Sequence, residues 1–205
     1  MSVICLPSCV SAGKPTTGYM NGCGNKRAKG GIPRLLFLIC DPDYVHPYPV
    51  AEGLSPWSDV RNITNAMCAG ILNFTGPVLG SMPKQTFVKK KMSSCEPEEV
   101  VGGQKVINFQ DYNVTDAIEE YDFWDWVNKN YAYMSFGWVT CDELLYMAEG
   151  SFAPEVGDVI EDTSDGSRYF DGSITIQTQE IIKPIKVEGI LSALANFDPT
   201  APCYS

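Results

Sequence analysis

The chain has 205 residues, a formal net charge of −10 and 44% hydrophobic residues, which is the composition of a globular domain and not of a disordered or fibrous chain. Acidic residues are concentrated in residues 106–205, whereas residues 1–105 carry an excess of Lys and Arg. Phosphate binding needs cations, so this acidic half argues against a nucleic-acid-binding domain. The 18 glycines and 14 prolines lie between short apolar runs, a pattern typical of β-rich folds.

Side chains suited to catalysis are scarce. His46 is the only histidine and lies in a proline-rich segment, where the following proline restricts its backbone. The sequence contains neither a Gly-x-Ser-x-Gly nucleophile elbow nor a Gly-Lys-Ser/Thr phosphate loop. We therefore expect no enzymatic activity and no cofactor.

The eight cysteines leave two redox states open. Cys5, Cys9 and Cys23 form the only close group, and no histidine lies near enough in sequence to complete a zinc site, so we expect no metal. Cys40 and Cys141 end apolar runs, where buried free thiols are common. The chain start resembles no secretory signal and the longest apolar run is too short to span a bilayer, which predicts reduced thiols, a cytoplasmic origin and no membrane partner.

The first quarter of the chain is predicted to contain an arm, a strand and a long loop. Residues 1–29 form the arm, and its basic residues are candidates for a subunit contact: Lys26, Arg27 and Lys29. Residues 30–40 form the first strand. The loop 41–57 is stiffened by prolines, and its aromatic and imidazole side chains either contact another protein or fold back onto the core: Tyr44, His46, Tyr48 and Trp57.

The middle of the chain mixes strands with one helix. Residues 59–71 are compatible with a strand pair or a short helix, and residues 74–91 read as strands that end on three lysines. A turn is predicted at 96–103, where Gly102 and Gly103 are adjacent, followed by a strand at 105–112. Residues 115–130 predict an α-helix, because its acids lie near the N-terminus and its apolar residues share one face.

The last third returns to strands. A hairpin is predicted around residues 141–143, an acidic loop or hairpin at 150–168, and an alternating strand at 169–182 with Ile174 and Ile176 facing inward. The segment 191–205 is predicted to be a loop-like tail. Together these elements predict a mainly β (α+β) fold, an antiparallel β-sandwich or barrel with one flanking α-helix, formed by a single domain at residues 30–190.

The stretch Gly-Gly-Ile-Pro-Arg-Leu-Leu-Phe-Leu-Ile at residues 30–39 resembles the opening of tail-tube-like structural proteins of tailed phages. The order of the later elements is similar too: a strand at 105–111, the helix at 115–130, two strands at 131–148 and a strand at 169–176. The long proline loop and the eight cysteines depart from the simplest members of that family.

The resemblance implies a virion protein whose copies associate side by side into a ring, commonly a hexamer, with the rings stacked into a tail tube. Its partners would be itself, other tail proteins and DNA that passes through the lumen without specific binding, in a virion assembled in the host cytoplasm. Acids lining that lumen would repel the DNA backbone, and the candidates are Asp158, Glu161, Asp162, Asp165 and Asp171.

Two other readings stay open. One is a head–tail completion or head-decoration protein, which is also structural. The other is a secreted or cell-surface β domain that binds a ligand or carbohydrate through exposed aromatic residues, and a set of four disulfides would favour it.

Overall fold

The computed structural model describes residues 31–82, 85–91, 98–114, 119–148, 151–161 and 166–198. The strands are β1 (Arg34–Ile39), β2 (Leu72–Phe74), β3 (Val78–Gly80), β4 (Thr86–Lys90), β5 (Glu99–Asp111), β6 (Met134–Val139), β7 (Leu144–Ala148), β8 (Phe152–Glu161), β9 (Arg168–Gln177) and β10 (Ile185–Lys186). The helices are α1 (Val60–Cys68), α2 (Glu119–Asn130) and α3 (Ile190–Ala195). Two antiparallel sheets dominate, so the predicted α+β sandwich is confirmed.

The first sheet has the strand order β10-β7-β6-β1-β2 and is buried on both faces. Its inner strand β1 is an apolar run after Arg34, as a strand covered on both faces requires. Leu35 and Phe37 face the second sheet, whereas Leu36 belongs to a separate cluster with residues of α1 and α3. The helices therefore form an outer layer over this sheet.

The second sheet has the order β3-β5-β9-β8, and β4 pairs with the first half of β5. Alternate residues face the core, and Ile174 and Ile176 are fully buried, as predicted. Gly172 is needed in this layer because a β-carbon there would lie 2.6 Å from Cζ of Phe109. The opposite face of this sheet has no helix over it among the described residues.

Aromatic rings fill the space between the two sheets. Phe37 makes ring contacts with four neighbours at centroid distances of 5.6–6.2 Å, namely Phe123, Trp124, Phe136 and Phe152. Trp124 is the most buried of the aromatic residues of α2, and its indole N–H donates to Oδ2 of the buried Asp111 at 3.1 Å. This bond joins the helix to the end of β5.

Two local predictions need correction, and one open alternative is decided. Gly102 and Gly103 lie within β5 and not in a turn. Position 103 requires glycine, because a β-carbon there would collide with the carbonyl oxygen of Thr178. Of the two alternatives for residues 59–71, the structure has the short helix, which is α1. The predicted loop-like tail begins with α3, so the domain carries more than one flanking helix. Both helices form because their apolar residues cover the outer face of the first sheet, and Leu194 is buried there.

The predicted helix at 115–130 is present from Glu119 to Asn130, and residues 115–118 lie outside the described residues. The predicted arm 1–29 also lies outside them.

The cysteines do not share one redox state. Cys68 is disulfide-bonded, so the expectation of uniformly reduced thiols is wrong at this position. Cys40 and Cys141 are free, as expected, but both are exposed and not buried. Because these two are free, the eight cysteines do not form four disulfides within the chain. A disulfide is compatible with a virion surface as well as with a secreted domain.

Candidate assembly surfaces

The loop 41–57 folds back onto α1. The hydroxyl of Tyr44 donates to Oδ1 of Asn65 at 3.2 Å. The ring of His46 lies edge-on to the rings of Tyr44 and Trp57, with centroid distances of 5.2 Å and 4.4 Å. Of the two alternatives for this loop, the geometry favours packing on the core, and the predicted intersubunit role of its aromatic residues stays a prediction.

Asn62 of α1 holds the loop in place. Its side-chain N–H₂ donates to the carbonyl oxygens of Tyr48 at 2.8 Å and Pro56 at 2.9 Å, and its Oδ1 accepts the N–H of Tyr48 at 3.0 Å. Asn62 is fully buried. The guanidinium of Arg61 lies 4.7 Å from the ring centre of Tyr48, on the outer side. We call these three hydrogen bonds of Asn62 the clamp. The sequence did not predict it, because no pattern in the chain indicates that an asparagine is buried.

His46 is a probe of this packing because it is the only histidine. Burial lowers the pKa of His46 below its usual value of about 6.5, and its Nδ1 is buried with no hydrogen-bond partner among the described residues. The imidazole therefore binds a proton more readily in the unfolded chain than in the folded one. The free energy of unfolding decreases as the pH drops through 6.5 towards the lower pKa of the folded state. We expect an NMR titration of the imidazole to give a midpoint below 6.5, and a midpoint at or above 6.5 would contradict the packed loop.

A two-stranded ribbon extends from the second sheet. We define the ribbon as residues 86–90 of β4 and 99–103 of β5. β9 pairs with β5 only from Gln104 onwards, so most of this segment of β5 has β4 as its only described neighbour. Every residue of β4 is exposed. Apolar side chains with exposed fractions of 45–53% are carried by both strands: Phe87, Val88, Val100 and Val101.

The ribbon also carries charge. Lys89 and Lys90 end β4, and Lys91 follows them. In the register, Lys90 lies opposite Glu99, whereas Lys89 lies opposite Val100. The edge strand of the ribbon is therefore basic as well as apolar. Lysines on an edge strand discourage indiscriminate pairing, and a specific acidic partner removes that obstacle.

The far end of the same sheet carries a second exposed apolar surface. We define the end patch as the exposed residues Leu79, Tyr112 and Ile160 together with the half-buried Tyr169. The rings of Tyr112 and Tyr169 lie 4.9 Å apart, and Ile160 is opposite Tyr169 in the register. Leu79 is opposite Gln110, on the same face as Tyr112, and 67% of its surface is exposed.

The three described acids of the predicted lumen set lie on β8 and β9, beside the end patch. Asp158, Glu161 and Asp171 are all exposed. A bulge places Asp158 with Gly157 opposite Asp171, whereas Glu161 is opposite Arg168. Asp162 and Asp165 lie outside the described residues, as do Lys26, Arg27 and Lys29. The described part of the predicted acidic set is thus brought together on one hairpin.

A cleft of about 690 Å³ lies at the end of the first sheet nearest the ribbon. Its apolar lining includes Leu38, Trp57 and Met147, and its polar lining includes Ser135 and Glu180. The size is in the range of small-molecule sites. No local sequence pattern indicates this cleft, because its walls come from five separate segments of the chain.

Among the described residues, no helix is both long enough and apolar enough to cross a membrane. The sequence matches no known family model, no curated protein and no solved structure, so the fold and these surfaces are the basis for any assignment of function.

Proposed function

We propose that this chain is a structural virion protein whose copies associate into the rings of a phage tail tube or tail connector. The observation that carries the proposal is the ribbon, which has apolar side chains on both strands and no covering element among the described residues. The resemblance of the opening strand and of the element order to tail-tube-like proteins supports the same function. The other structural role, in head–tail completion or head decoration, would use the same kind of contact.

The ribbon needs a partner for a physical reason. An isolated two-stranded hairpin is marginally stable in water, and it becomes stable when it packs against another surface. Exposed apolar side chains clustered on a strand edge mark an interaction site or an aggregation hazard. A ring uses such an edge productively, because each subunit covers the edge of the next one.

The acids of β8 and β9 fit this function as candidates for the lumen wall. Exposed carboxylates repel the phosphate backbone, so DNA would pass without adhering. Asp158 and Asp171 contribute most to this repulsion, because Glu161 has Arg168 opposite it. In an assembled ring, we expect Asp158, Glu161 and Asp171 to face the channel or its rim.

Substitution of the ribbon tests the proposal. In Val88→Asp and Val101→Asp, an apolar contact is lost and a charge is brought into the interface, so we expect association to weaken at least tenfold. Sedimentation velocity over a range of concentrations measures the effect. Val45→Asp is the matched control, since Val45 is exposed in the loop and the variant gains the same charge. Equal association of all three variants would contradict the proposal.

A ligand-binding β domain is the second candidate, and one observation favours it: the cleft with Trp57 in its wall. Two measurements in solution distinguish these functions. A protein that stays monomeric at high concentration, and whose tryptophan fluorescence responds to a soluble glycan panel in the wild type but not in Trp57→Phe, would support the second candidate. Association without such a response would support the first.

A further inference from the structure

The end patch and the ribbon lie at opposite ends of β5. Val101 in the ribbon and Tyr112 in the end patch are eleven residues apart along one extended segment, a distance of about 35 Å at the rise of a β-strand. Each end therefore carries an exposed apolar surface, and the body of the sandwich separates the two.

We propose that the ribbon of one copy docks on the end patch of a second copy. The inference rests on the proposed function and identifies which surface of the neighbour receives the ribbon. Apolar side chains are matched with apolar side chains: the face of the ribbon that carries Phe87 and Val100 meets the tyrosine pair and Leu79 of the end patch.

Charge supports this pairing over a contact between two ribbons or between two end patches. Lys89 has no acid opposite it within the ribbon. Asp158 and Asp171 lie beside the end patch with no basic residue opposite them in the register. Docking of unlike ends brings lysines to carboxylates, whereas docking of like ends brings lysines to lysines or carboxylates to carboxylates, which costs free energy. In this arrangement Asp158 and Asp171 lie at the contact between copies, so the inference replaces their proposed place on the lumen wall.

The geometry of the contact also defines how it propagates. Two different surfaces form the interface, so it is heterologous, and each added copy presents a fresh end patch or a fresh ribbon. Such an interface closes into a ring when a whole number of copies completes one full rotation without a shift along the axis. Otherwise the copies continue as a filament. An isologous dimer has no free ribbon left for further growth.

Photo-crosslinking of the full chain tests the inference. A benzophenone amino acid replaces Phe87 in an unlabelled copy, which is mixed with a ¹⁵N-labelled wild-type copy before irradiation and peptide mapping. We expect labelled crosslinks to fall in peptides that contain Leu79, Tyr112 or Tyr169. The same probe at Val45 is the control, and we expect no crosslinks to those peptides from it.

The outcomes distinguish the inference from the proposed function. Crosslinks from Phe87 to another ribbon, or to any surface other than the end patch, would overturn the inference and leave ring assembly standing. A monomer at every concentration, with no crosslink between copies, would overturn both. A second variant, Leu79→Asp, is expected to weaken association at least tenfold with an unchanged melting temperature, because Leu79 is largely exposed; unchanged association would also overturn the inference.

Discussion

Replacement of Phe37 by alanine is expected to lower the free energy of unfolding by about 3–5 kcal/mol. Phe37 is fully buried between the two sheets and makes ring contacts with both of them and with α2. The truncated side chain leaves a cavity. Its four aromatic neighbours cannot fill this cavity without losing the contacts that they make with other residues. Urea denaturation followed by far-ultraviolet circular dichroism measures the loss.

Phe87→Ala is the matched control for this prediction. Phe87 is a phenylalanine of the second sheet, but about half of it is exposed on the ribbon. We expect its truncation to cost less than about 1 kcal/mol of monomer stability while it weakens association. Equal destabilisation by the two substitutions would mean that the aromatic cluster does not hold the sheets together.

Asn62→Ala is expected to cost about 2–4 kcal/mol, because it removes three hydrogen bonds of a fully buried side chain and takes their Asn62 partner from the backbone N–H and carbonyl groups of Tyr48. The loop 41–57 would then lose its anchor to α1, and its amide hydrogens would exchange faster with deuterium. Chemical denaturation and hydrogen exchange measure the two effects separately.

Asn73→Ala provides the comparison, since the Asn73 side chain donates one bond of 3.4 Å, to the carbonyl oxygen of Gly70. We expect a loss below about 0.5 kcal/mol there. If Asn62→Ala were equally mild and left loop exchange unchanged, the loop would not depend on this clamp.

The strand pattern of this fold is largely readable from the sequence. β9 alternates cleanly, and its inward residues Ile174 and Ile176 were predictable because the period of a strand is two. β5 was not fully predictable, since adjacent glycines usually mark a turn. Gly103 is there for a tertiary reason, the close approach of the Thr178 carbonyl, which no local pattern contains.

The helices show the same limit. α2 carries a capping charge pattern and an apolar face, whereas α1 is short and becomes a helix through its contact with the first sheet. α3 has only six residues and no side-chain cap, so its existence depends on Ile190 and Leu194 being covered.

The assembly surfaces were only partly predictable. Aromatic residues in the proline loop attracted attention because of their composition, but the structure directs them onto α1. The ribbon went unnoticed, because exposure of Phe87 and Val88 depends on how far β5 runs beyond β9. The acids were predictable as a cluster in the chain, and the hairpin of β8 and β9 brings Asp158 next to Asp171.

Electron microscopy of the purified wild-type chain at high concentration is the most direct test of self-assembly. Closed rings of uniform diameter, or stacks of such rings, are the predicted result, and they should disappear in Val88→Asp but persist in Val45→Asp. A field of separate single particles at every concentration would contradict the account.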